Sequence, residues 1–126
     1  MHRALSEFFG YAYDADTFDC VDLTVAVQRK LFGREFSVPE DRREARRELR
    51  RLIRTYLERT DHPKDGDAVM MREAGRHKAD HVGTWFMLGG EACVLHTTER
   101  TDTIITRVRQ MSDLGLIIEG TYAWRI

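Results

Sequence analysis

The chain has 126 residues, 42% of them hydrophobic and 33% charged, with a formal net charge of -1. That length makes one domain with its own core, residues 1–126, and the balance of charge lacks the basic footprint of a nucleic-acid binder. No apolar run reaches the roughly 18 residues of a membrane helix, and the opening residues 1–10 carry Glu7 and no cleavable apolar stretch, so the expectation is synthesis in the cytoplasm without a signal peptide.

Up to about residue 60 the apolar spacing is helical. In "TFDCVDLTVAVQRKLFG" (17–33), Leu23, Ala26, Val27, Lys30 and Leu31 share a face and Gly33 is a natural stop, which predicts a helix whose first turn holds Cys20. The next stretch begins with a possible capping box, Ser37 and Glu40. It then places Ala45, Leu49, Leu52, Ile53, Tyr56 and Leu57 on one stripe of a long amphipathic helix. Arg42, Arg43, Arg46, Arg47, Arg50, Arg51 and Arg54 lie on its other face, interleaved with Glu44 and Glu48; a solvated face is the simpler reading and a docking face the sharper one.

After Pro63 the period becomes two. "DAVMM", "HVGTWFML", "ACVLHTT", "DTIITRVR" and "LIIEGTYAWRI" read as short strands, which makes the chain α+β, with N-terminal helices on a C-terminal antiparallel sheet. Gly89-Gly90 suits a two-residue hairpin turn. If Leu88 pairs with Glu91, then Phe86 faces Cys93, Gly83 faces His96 and His81 faces Thr98. His81 and His96 become diagonal neighbours on one face, with room left by Gly83, and Cys93 turns away from them.

A cysteine at a helix N-terminus is held toward thiolate by the unpaired amides and the dipole, and a histidine beside it, oriented by a third polar group, would complete a nucleophile and base. A zinc site is the rival arithmetic, from His77, His81 and Cys93-x-x-His96. The first pair leads into a strand, and the second, three apart on a strand, falls on opposite faces.

The order of these residues resembles the NlpC-type cell-wall cysteine peptidases, a circularly rearranged papain-like family. "FDCVDL" matches the family's aspartate-cysteine helix start, Gly66-Asp67 its Gly-Asp pair before a strand, His81-Val82-Gly83 its His-Val-Gly signature, and His96 in "CVLHTT" its third polar residue. The short form, with an arginine-rich helix and a closing "YAW", looks most like the versions in tailed-phage tail-tip assembly proteins.

The resemblance implies a papain-like fold, no cofactor and no metal. It implies hydrolysis of a peptidoglycan stem-peptide amide, commonly that between D-glutamate and diaminopimelate. Cys20 would be the nucleophile, with its amide helping to bind the oxyanion. His81 would be base and acid, and His96 would orient and partly charge the His81 ring. Tyr11 and Tyr13 are the candidates for the family's substrate-side tyrosine. The family has a small or aromatic residue and then glycine after the cysteine, where Val21 and Asp22 stand here; Asp22 adds negative charge beside the thiol.

The partners implied are the stem peptide and other phage tail-tip proteins, with no nucleic acid and no membrane span, and the place of action is the periplasm, reached as part of a tail or virion. The competing class is a tail-tip structural protein that keeps the hydrolase fold for assembly.

Overall fold

A computed structural model describes residues 2–35, 41, 44 and 49–125. The Ser37/Glu40 capping box, Ala45, and Arg42, Arg43, Arg46 and Arg47 of the arginine face lie outside the described residues.

In chain order the elements are α1 (His2–Ser6), α2 (Cys20–Phe32), α3 (Leu49–Tyr56), β1 (Leu57–Arg59), β2 (Ala68–Glu73), β3 (His81–Leu88), β4 (Glu91–Thr98), β5 (Asp102–Arg107), a 3-10 helix (Val108–Leu114) and β6 (Leu116–Trp124). The strands form an α+β arrangement around one six-stranded sheet, in the order β1-β6-β2-β3-β4-β5 with every pairing antiparallel.

Two boundaries differ from the sequence pattern. Leu57, placed on the helical stripe, begins β1 instead, because it pairs with Trp124 at the end of β6 and is buried there. The run "DTIITRVR" leaves the sheet at Val108, where the backbone turns into the 3-10 helix that ends on Gly115 in the left-handed region, φ 73°. Among the described residues, no helix is long and apolar enough to cross a membrane.

Alternation divides the sheet into two faces. One face carries Ala68, Met70, Val82, Phe86 and Leu95 and packs under α2. Toward the sheet centre Leu23 and Val27 meet Phe86 and Leu95 together with Leu5 and Phe8 of the N-terminal segment. Toward β1, Cys20, Val21 and Val25 join Leu57, Met70, Val82 and Trp124, with Ile53 and Tyr56 of α3 at the margin. Each such side chain fully buried contributes about 1.5–3 kcal/mol. Lys30, on the predicted apolar stripe, lies at its edge: the ammonium is 5.6 Å from the Phe8 ring centre and 3.4 Å from Glu7. The other face carries Val69, Met71, Val94 and Leu116 of β6, covered by Met111 of the 3-10 helix.

Gly66 ties α2 to the sheet. Its carbonyl accepts from Gln28 Nε2 and from Trp124 Nε1, each at 2.9 Å, and its φ of 95° with the Phe32 ring 2.7 Å from any added Cβ excludes other residues. The following Asp67 accepts from the Lys64 amide at 3.0 Å, which closes the turn into β2.

Candidate active site

The turn before α2 is built by Asp14, whose carboxylate accepts the amides of Asp16 and Thr17 and whose backbone bridges to Phe18. It delivers Asp19 to the N-cap. Asp19 Oδ1 accepts the amides of Val21 at 3.0 Å and Asp22 at 3.1 Å, and Asp22 Oδ2 accepts the Asp19 amide at 3.0 Å, a reciprocal capping box. Asp22, which stands where the resembled motif has glycine, therefore has a structural duty in this helix start. Cys20 is the first residue of the helix, and its amide takes no part in that box.

The hairpin has the predicted register. Gly89 and Gly90 have φ of 59° and 79°, Leu88 pairs with Glu91 and Phe86 with Cys93. His81 and His96 emerge on one face, with ring centres 5.8 Å apart and planes at 84°. Gly83 is required there for a different reason from the one expected: an added Cβ would lie 2.6 Å from Val94 Cγ1 and 2.9 Å from the Leu95 carbonyl. The contact that excludes a side chain is with the β4 backbone and Val94, rather than with the His96 ring.

His96 is fully buried and its Nε2 is 3.0 Å from Thr106 Oγ1 on β5. Burial lowers its pKa from the ordinary 6.5 to about 4. It is thus a neutral, dipolar neighbour of His81 at physiological pH and supplies no charge to it.

The faces separate the three residues differently from a simple triad. Cys20, with no exposed surface, lies under the sheet in the cluster of Val82 and Met70, and Ala79, just ahead of β3, packs on the same cluster. His81 follows the alternate face, with Gly83 and His96. The thiol thus belongs to the cluster of Val82, the next residue after His81 on β3, on the sheet face opposite to the two imidazoles. The structure brings His81 and His96 together directly and Cys20 to the strand end they share.

A hollow of about 250 Å³ opens at that end and is lined by His81, Tyr13, Asp80, Glu99 and Arg76 among others, but not by Cys20. Arg76 is paired with Glu73 at 3.2 Å, which leaves the hollow acidic through Asp80 and Glu99. Tyr13 is held there by its backbone N–H, which donates to Asp102 Oδ1 at 3.0 Å. Tyr11 is elsewhere: its ring stands edge-on to Phe8 and Phe18, at 5.8 and 5.7 Å, and so packs the N-terminal segment. Of the two tyrosines only Tyr13 reaches the histidine side.

Cys93 lies on the α2 face, its thiol 3.6 Å from the Glu91 carbonyl. Burial and the Glu91 charge raise its pKa, against the opposing effect of Arg107. Among the described residues no group of three or more His, Cys, Asp or Glu is placed to hold a metal ion.

Thr106, Asp80 and Glu99 escaped the sequence reading. The connection from Thr98 to Asp102 has no Gly or Pro to set its register, and Asp102 itself takes the positive φ of 55°. Without that register Thr106 could not be placed beside His96. Searches against models of known protein families and against curated proteins find no match to this chain.

Proposed function

We propose that this chain is a papain-like, NlpC-type cysteine peptidase domain that cleaves a peptidoglycan stem-peptide amide, the D-glutamyl-diaminopimelate bond being the foremost candidate, as part of a phage or prophage tail tip. The observation that carries this reading is the paired imidazoles of His81 and His96, 5.8 Å apart at the strand end where the Asp19-capped helix begins with Cys20.

In the reaction, His81 takes the Cys20 proton as Sγ attacks the amide carbonyl, and returns it to the leaving amine as the C–N bond breaks. The thioester left on Cys20 is hydrolysed by water deprotonated by His81, releasing the carboxylate and restoring the thiol. The helix N-terminus favours the thiolate, against the burial of Cys20 in its apolar cluster and the neighbouring Asp19 and Asp22 carboxylates. The acidic hollow of Asp80 and Glu99 beside His81 suits the amine-bearing side of such a substrate. Because Cys20 has no exposed surface, this reaction requires a local opening that uncovers the thiol.

That closure is also the observation favouring the second reading, a tail-tip structural protein that retains the fold. One experiment divides the two: alkylation of Cys20 against pH in a Cys93→Ser background, with and without His81→Ala. The peptidase reading expects a thiol reacting well below the usual pKa of about 8.5, with the advantage lost on removal of His81, and then digestion of cell-wall sacculi. An inert or His81-independent thiol overturns it and leaves the scaffold.

A further inference from the structure

Three adjacent strands each contribute one polar side chain to the same face: His81 from β3, His96 from β4 and Thr106 from β5. His96 is the middle member and is wholly enclosed. Its Nε2 meets Thr106 Oγ1 at 3.0 Å, and its Nδ1 is buried without a hydrogen-bond partner.

A neutral imidazole carries its proton on one nitrogen, and the hydrogen bond made by one nitrogen selects the state of the other. A hydroxyl can accept or donate, so the bond by itself permits both tautomers. The enclosed Nδ1 decides between them. A buried N–H without an acceptor is rarer and more costly than a buried lone pair without a donor, so the proton belongs on Nε2, donated to Thr106.

We propose that Thr106 is a positioning residue for the candidate catalytic pair: its hydroxyl accepts the Nε2–H of His96, fixing that ring's orientation and keeping the Nδ1 lone pair for the His81 imidazole. The inference rests on the peptidase reading. When His81 takes the Cys20 proton it becomes a cation, which a neighbouring lone pair stabilises and a neighbouring N–H opposes. Burial of His96 keeps it neutral, so it does not compete for that proton. Thr106 touches neither thiol nor substrate hollow and acts only through His96.

The test uses the full chain with Cys93→Ser and two substitutions, Thr106→Val, which keeps the shape without the hydroxyl, and Thr106→Ser, which keeps the hydroxyl. Imidazole nitrogen NMR reads the His96 tautomer, and iodoacetamide reads the His81-dependent rate at Cys20. Thr106→Val is expected to replace a single Nε2–H tautomer by a mixture and to slow alkylation about 10-fold, the factor that corresponds to losing one orienting hydrogen bond. Thr106→Ser is expected to restore both.

An unchanged tautomer in Thr106→Val, a reactive Cys20 indifferent to that substitution, or a Thr106→Ser protein that behaves like the valine variant overturns the positioning role alone. A wild-type Cys20 without His81-dependent reactivity overturns the peptidase reading, and the positioning role with it.

Discussion

His96 makes the stability of this protein depend on pH in a way that can be worked out in advance. In the unfolded chain its imidazole takes a proton near pH 6.5, whereas in the fold burial defers protonation to about pH 4. Between those values the unfolded state binds more protons, so stability rises with pH across the window. The contribution is complete above pH 6.5 and is withdrawn as the pH falls toward 4. At about 1.4 kcal/mol for each tenfold change in proton affinity, the loss is about 3 kcal/mol.

Urea unfolding at pH 7 and pH 4.5 would read this directly, because the expected loss corresponds to a drop in midpoint on the order of 2 M. Carboxylates titrate over the same range, so the informative quantity is the difference between the wild type and His96→Gln, which is polar and never charged. Repeating the comparison on a His81→Ala background removes the neighbouring imidazole from both curves. The expected result is a shallower pH dependence in His96→Gln. Equal slopes in the two proteins would refute the argument, since they would mean that His96 titrates alike in the folded and unfolded chains.

Two further substitutions test how the site is built. Asp19→Ala removes the acceptor for the Val21 and Asp22 amides and should cost about 1 kcal/mol by thermal unfolding, while slowing Cys20 alkylation; an unchanged melting temperature would show that the capping box contributes nothing. Gly83→Ala forces a methyl to within 2.6 Å of Val94 and 2.9 Å of the Leu95 carbonyl, and should destabilise by about 1–3 kcal/mol. Adding Val94→Ala should recover only part of that, because the backbone contact remains, and full recovery would show that the side chain alone set the limit.

The elements whose pattern is local were legible in the chain itself. The aspartate before Cys20 and the aspartate three positions on define a helix start by their hydrogen-bonding chemistry alone, and Gly89-Gly90 requires a tight turn that places every residue of β3 opposite a known residue of β4. From those two facts follow the thiol at the helix start and the shared face of His81 and His96.

What depended on distant partners was not legible. Leu57 reads as a continuation of the helical stripe, and only its pairing with Trp124 makes it a strand. Gln28 looks like a surface residue of α2 until the Gly66 carbonyl, 38 positions away in sequence, is placed against it. The neutrality of His96 comes from the depth of its burial, which no count of neighbouring charges in the sequence contains.

The same holds for which face of the sheet α2 covers. The strand alternation allows either, and the packing of Leu23 and Val27 on Phe86 and Leu95 selects the face that encloses Cys20 and leaves His81 opening onto the hollow beyond. The sequence by itself determined the helix start, the hairpin and the shared face of the two histidines, because each is written in a few adjacent residues. Tertiary packing decided how the thiol, the imidazoles and the acidic hollow lie relative to one another, because burial and register between distant segments exist only once the chain has closed on itself.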